Sequence, residues 1–163
     1  MTNYFKRMAC IATATVALGF GAAQAAEVVA NYEVIPLPQR VMPGRGLPFV
    51  LNPNTVIVAP KSDKQLTRNA QFLAEYLKEL TGIQPKVVAK APRKNAIVLS
   101  STLKNDNPEA YELNVGSDLI TINGASPAGN FYGIQTLRKS VTATASKDDR
   151  VIFPAVTVTD APR

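Results

Sequence analysis

Twelve carboxylates carry nearly all the acid–base chemistry open to this chain, because it has no His and a single Cys. Without His there is no Ser-His-Asp triad, no Cys-His dyad and no His-ligated metal site. Cys10 alone builds neither a disulfide framework nor a thiolate zinc site. The only adjacent acids in the sequence are Asp148 and Asp149. They lie between Lys147 and Arg150 in a polar stretch, which reads as a solvated turn. In an extended loop, adjacent side chains also point apart rather than converging.

The other groupings have plainer readings. Gly44-Arg45-Gly46 begins like a dinucleotide-binding loop, but no third Gly follows and Pro48 opposes a helix start. Asp106-Asn107-Pro108-Glu109 offers oxygen ligands of the kind calcium takes. It lacks the glycine and ligand spacing of a calcium loop and reads as an ordinary turn. Lys86, Lys90, Arg93 and Lys94 form a local basic patch, read as a solvated loop rather than a nucleic-acid surface. Phe131 and Tyr132 fall on the apolar stripe of a helix, where core packing is expected before sugar stacking. Gly129 and Gly133, four apart on that helix, imply close approach to a sheet or to a following domain. No catalytic, cofactor-binding or metal-binding residue is therefore assigned, and no cofactor is expected.

The elements that hold these residues can be read in order. Ala26 to Tyr32 reads as a mobile lead-in. Glu33 to Gln39 is extended, because Pro36 and Pro38 disfavour helix at the residues before them. Leu47 to Leu51 and Thr55 to Ala59 are short apolar runs flanking Asn52-Pro53-Asn54, a strand-turn-strand pattern. Ser62 to Leu80 is the clearest helix, with Ser62 or Asp63 as cap, Leu66, Ala70, Leu73, Leu77 and Leu80 on one face, and Gly82 as stop. Pro85 to Ala89 and Ala96 to Ser100 read as strands. Tyr111 to Val115 and Leu119 to Asn123 alternate at period two and form a hairpin. Ser126 and Pro127 open a second helix, with Phe131, Ile134, Leu137 and Val141 as its stripe. Val151 to Thr159 reads as one strand broken by Pro154. The expected fold is α+β with two layers: a mixed, mostly antiparallel sheet of about six or seven strands, with two helices on one face.

The first 25 residues carry a different signal. Lys6 and Arg7 form a basic head, Met8 to Phe20 is uncharged, and Ala23-Gln24-Ala25 offers small residues for a peptidase. That order is a secretory leader cleaved after Ala25 rather than a stable membrane span, whose apolar run is longer. Cleavage removes Lys6, Arg7 and Cys10 from the 163-residue chain. With 46% hydrophobic and 18% charged residues, the remainder has the composition of one folded domain stabilised by a core.

Three stretches in fixed order carry a resemblance. Val34-Ile35-Pro36-Leu37-Pro38-Gln39 resembles the opening of the N-terminal domain of bacterial family 20 glycoside hydrolases, the β-N-acetylhexosaminidases. Ala128-Gly129-Asn130-Phe131-Tyr132-Gly133-Ile134-Gln135-Thr136-Leu137 is similar to that domain's most recognisable helix. Phe153-Pro154-Ala155-Val156 and Asp160-Ala161-Pro162-Arg163 resemble the strand and linker leading into the catalytic barrel. The resemblance spans Tyr32 to Arg163. It departs at Arg138 and Lys139, where the family more often has Gln and Leu, which puts positive charge on a face that usually packs against the barrel.

The resemblance implies a leader at 1–25, a non-catalytic accessory domain at 26–159, and the start of a linker at 160–163. It implies a catalytic (β/α)8 barrel C-terminal to Arg163. That barrel would carry the Asp-Glu pair and Trp-lined pocket and hydrolyse terminal N-acetylhexosamine residues from glycans. Glycan contact would come only through it, and this chain alone would be inactive. The location implied is periplasmic or extracellular, with no nucleic-acid partner. Two alternatives stay open at this point: a freestanding secreted carbohydrate- or surface-binding module, or the equivalent domain of another glycosidase family. A small secreted enzyme fits worst, since the chain has neither His nor paired acids.

Overall fold

The computed structural model describes residues 26–141, 145 and 149–162. The expected leader at 1–25 lies outside the described residues, as do Lys147, Asp148 and Arg163. In chain order the elements are β1 (Glu27–Val29), β2 (Arg40–Pro43), β3 (Phe49–Leu51), β4 (Val56–Val58), α1 (Lys64–Thr81) and β5 (Lys86–Val88). There follow β6 (Ala96–Ser100), β7 (Tyr111–Val115), β8 (Leu119–Gly124), α2 (Pro127–Ser140), β9 (Arg150–Phe153) and β10 (Val156–Asp160).

The main sheet has seven strands in the order β2-β10-β7-β8-β6-β4-β5. From β2 through β10 and β7 to β8 the ladders are antiparallel, and from β8 through β6 and β4 to β5 they are parallel. The expected α+β class and the expected hairpin, now β7–β8, are present. The balance of directions is even, because α1 carries the chain back to the starting end and so makes β4 and β5 parallel neighbours. Pro85 to Ala89 and Ala96 to Ser100 are strands but do not pair; β4 lies between them.

A second sheet of three strands, β1-β9-β3, brings the described strands to ten, beyond the six or seven expected. It arises from two features that local pattern conceals. Val151 to Thr159 is two strands in two sheets, with Pro154 at the switch. Pro154 has no N–H to donate to a ladder, and the neighbouring Ala155 carbonyl accepts from Gly44 N at 2.8 Å instead. The supposed lead-in is ordered too. β1 pairs in parallel with β9, Asn31 N donates to Ser140 O at 2.7 Å, and Ala30 and Tyr32 are buried in the core. Three residues are too few to display a period of two, so sequence pattern could not announce β1.

Helix α1 forms as its residues dictate. Asp63 Oδ1 accepts from the backbone N–H of Gln65 and of Leu66, both at 2.9 Å. Such a cap satisfies donors that the first turn leaves open. Gly82 ends the helix in the left-handed region, at φ 69°. Leu66, Ala70, Leu73 and Leu77 are buried, and Leu80 packs at the margin. Helix α2 starts at the Ser126 hydroxyl, which accepts from Ala128 N at 3.0 Å. Both helices cover the same face of the main sheet, α1 over β4, β5 and β6, and α2 over β6, β7 and β8.

The buried face of α2 is rotated from the apolar stripe in the sequence. It comprises Gly129, Asn130, Gly133, Ile134, Thr136, Leu137 and Ser140. Phe131 is only half-buried and meets Phe72 of α1 edge-on, ring centroids 6.1 Å apart. The cause is close approach. A Cβ on Gly129 would overlap the Ala110 carbonyl oxygen, and one on Gly133 would lie 2.5 Å from Ile122 Cγ2. Asn130 is fully buried in this contact. Its amide donates to Ile122 O at 2.9 Å, and its carbonyl accepts from Asn69 of α1 at 3.2 Å. Buried polar groups persist only when paired in this way.

Leu73 and Leu77 reach 0% and 1% exposure, so truncating either to Ala removes burial and leaves a cavity. Chemical denaturation should show a loss of about 2–5 kcal/mol for each. Gly129→Ala should destabilise more than Gly133→Ala, because it meets rigid backbone where Gly133 meets the tip of a side chain. Midpoints of the two variants measured side by side check the order.

Candidate functional site

The residues singled out for their chemistry do not converge. Asp149 accepts from Ala26 N at 3.0 Å, so it tethers the first strand rather than sitting in an isolated turn, while Asp148 lies outside the described residues. Gly44-Arg45-Gly46 is a turn between two strands with no helix to follow. In Asp106 to Glu109, Asn107 Oδ1 accepts from Glu109 N at 2.8 Å, closing a local turn. Among the described residues, no group of three or more His, Cys, Asp or Glu side chains could hold a metal ion. Lys86, Lys90, Arg93 and Lys94 are exposed on the edge strand β5 and the loop after it. Arg138 stacks over the Tyr76 ring, 4.5 Å from its centroid, and so is engaged with α1.

What the fold does assemble is a shallow apolar recess where β10 ends. Its volume is about 170 Å³, and four separate stretches line it: Val34 to Pro36, Tyr111, the outer side of α2, and Asp160 with Pro162. Tyr132 was expected on the core stripe; it is 38% exposed at this recess instead. Lys139 Nζ donates to Ile35 O at 2.8 Å and pins the loop to the helix. The exit segment is pinned as well. Gln39 Nε2 donates to Ala161 O at 2.9 Å, and Asn107 Nδ2 donates to Pro162 O at 2.7 Å. Ile35 and Leu37 stand 86% and 69% exposed beside it.

The chemistry of the recess is that of a contact surface. Tyr111 Oη and Thr136 Oγ1 lie 2.6 Å apart in its floor. Burial raises the Tyr111 hydroxyl from 10 to about 12; the Thr136 hydrogen bond opposes this and the Asp160 charge adds to it. The phenol thus stays neutral across the physiological range and serves as neither base nor nucleophile. Burial likewise pushes up the Tyr32 hydroxyl, which donates to Pro154 O at 3.2 Å at the sheet switch. Sequence reading had singled out Tyr132 of this surface but not Gln39, Asn107 or the loop at Ile35. Their side chains act on distant backbone carbonyls and have no motif.

A two-layer α/β domain with a pinned C-terminal exit, an apolar recess beside it and no reactive cluster is an accessory domain in form. Residues 31–161 match the family model described as glycosyl hydrolase family 20, domain 2, and the chain belongs to that family, whose domain of this kind accompanies β-N-acetylhexosaminidases. A β-N-acetylhexosaminidase of Cellulomonas fimi is 32% identical over 133 residues, covering 80% of this chain and 26% of the relative. The family 20 β-N-acetylhexosaminidase of Streptomyces coelicolor superposes with a TM-score of 0.71 at 29% identity. The N-acetyl-β-hexosaminidase of Streptomyces plicatus does so at 0.71 and 30%. Each structural match covers 80% of this chain and 26% of the other. The chain thus spans about a quarter of the length of these relatives, and no (β/α)8 barrel is formed by its described residues.

The raised phenol sets a prediction for alkaline stability. Below pH 10 Tyr111 is neutral both folded and unfolded, so it contributes no slope. Between 10 and about 12 the unfolded chain ionises first, and stability falls as pH rises. Tyr111→Phe should flatten that fall, whatever it costs at neutral pH through the lost Thr136 bond. Urea titrations at stepped alkaline pH measure the slope.

Proposed function

We propose that this domain steadies a catalytic (β/α)8 barrel within an exported β-N-acetylhexosaminidase, an enzyme that removes terminal N-acetylhexosamine residues from glycans. The observation that carries the reading is the family match over 31–161 in a fold whose recess adjoins its C-terminal exit. Ile35, Leu37 and Tyr132 would meet the barrel, and the anchored Ala161 and Pro162 carbonyls would fix the angle at which the chain enters it. The accessory domain carries no catalytic group in this reading. Enzymatic glycoside cleavage needs acids about 5–10 Å apart or one acid assisted by the substrate. Export rests on the basic head Lys6-Arg7, the uncharged run and the Ala23-Gln24-Ala25 site. No helix of the described residues is long and apolar enough to cross a membrane.

Two measurements test the pairing. Purified chain should show no turnover of a chromogenic N-acetylglucosaminide. Turnover that survives further purification and vanishes on changing one acid of this chain would overturn the accessory role. In a protein that joins this domain to a family 20 barrel, Ile35→Asp should lower the unfolding midpoint. The same change in the chain by itself should have little effect, since Ile35 is already solvated there. The separate chain should also show concentration-dependent self-association through its bared apolar recess, visible by sedimentation.

A further inference from the structure

We infer that removal of the leader completes the fold: the α-ammonium released on Ala26 forms an ion pair with the Asp149 carboxylate and fastens β1 to β9. This rests on the export reading above. Ala26 N already stands 3.0 Å from Asp149 Oδ1. The carbonyl of the same residue accepts from Arg150 N at 2.8 Å. One residue further on, Glu27 Oε1 lies 2.6 Å from Arg150 Nη1, and Glu27 and Arg150 are opposite one another in the parallel register. The first residue after the cleavage site is thus held at both of its backbone polar atoms by two consecutive residues, Asp149 and Arg150.

Hydrolysis of the Ala25–Ala26 peptide by a signal peptidase consumes one water and leaves a carboxylate on Ala25 and an ammonium on Ala26. The nitrogen facing Asp149 changes from a neutral amide with one proton to a cation with three. A charged donor on a carboxylate makes a shorter and stronger bond than an amide does. The strand end then carries two positive and two negative groups in alternation across the ladder: the Ala26 ammonium against Asp149, and Glu27 against Arg150. The arrangement matters because β1 is only three residues long and leads directly to Ala30 and Tyr32 in the core. A strand so short frays unless its end is tied.

The test begins with the exported full chain, purified and sequenced from its N-terminus, where Ala26 is expected. Hydrogen exchange is then followed at the Arg150 amide, which Ala26 O accepts, and at the Ala30 amide, which donates to Ile152 O. Four samples are compared: the processed protein, the same protein acetylated at its α-amine, and Asp149→Asn with and without acetylation. Acetylation keeps an N–H donor and removes the charge, so it alone should speed exchange about 2- to 5-fold, the range an exposed ion pair supports. Asp149→Asn should do the same with a free amine and add little once the amine is acetylated. Equal acceleration by Asp149→Asn in both forms, or none on acetylation, overturns the ion pair while leaving the leader reading intact. A processed chain starting elsewhere than Ala26 overturns the leader boundary and the inference with it.

Discussion

The distance between α2 and the main sheet is set by backbone meeting backbone. Gly129 lies against the Ala110 carbonyl and Gly133 against Ile122 and Tyr111, with no side chain of α2 between them. Contact this close has consequences on both sides of the helix. Inward, it buries polar atoms, and Asn130 must satisfy carbonyls of β6 and β8 while receiving Asn69 from α1. Outward, it lowers Tyr132, Gln135 and Lys139 until they sit level with the loop at Ile35 and the end of β10. A side chain at either glycine would lift the helix and disperse the recess. The candidate contact face is therefore a by-product of how the core is closed.

A second constraint runs through Pro154. A continuous strand from Arg150 to Asp160 would have left β1 and β3 without a partner. The break lets one stretch of chain serve two sheets, β9 between β1 and β3, and β10 between β2 and β7. Val151 and Phe153 bury fully in the first sheet and Val158 in the second, all within one apolar cluster. Tyr32 bridges the junction by donating its hydroxyl to the Pro154 carbonyl. The small sheet is thus stapled to the large one by covalent continuity, a shared core and one buried phenol.

The parts legible in the sequence are those decided within a dozen residues. Asp63, the leucine spacing and Gly82 define α1; Gly116-Ser117-Asp118 between alternating runs defines the β7–β8 hairpin; Ser126-Pro127 opens α2. What escaped depends on partners far along the chain. β1 exists because β9 is there to receive it. The true inner face of α2 holds Gly129, Asn130, Gly133, Thr136 and Ser140, small or polar residues that a hydrophobic pattern passes over in favour of Phe131 and Val141. Val141 is nonetheless buried, as the helix-ending residue. The contact face draws on four separate segments, so no spacing announces it. The family, by contrast, was recognisable from the helix and the exit segment, where the same close packing constrains the residue types.

Strand β10 does not lie at an edge. It is zipped on one side to β2 and on the other to β7, with registers running from Val156 to Thr159 and from Val156 to Asp160. The chain leaves the described fold from the end of this interior strand. A pull applied at Pro162 along the strand would therefore load both ladders in shear, straining all their hydrogen bonds together rather than peeling them one at a time. The domain is built to resist traction at that end, and its opposite sheet edge, β5, held on one side by three residues of β4, is where it would part first.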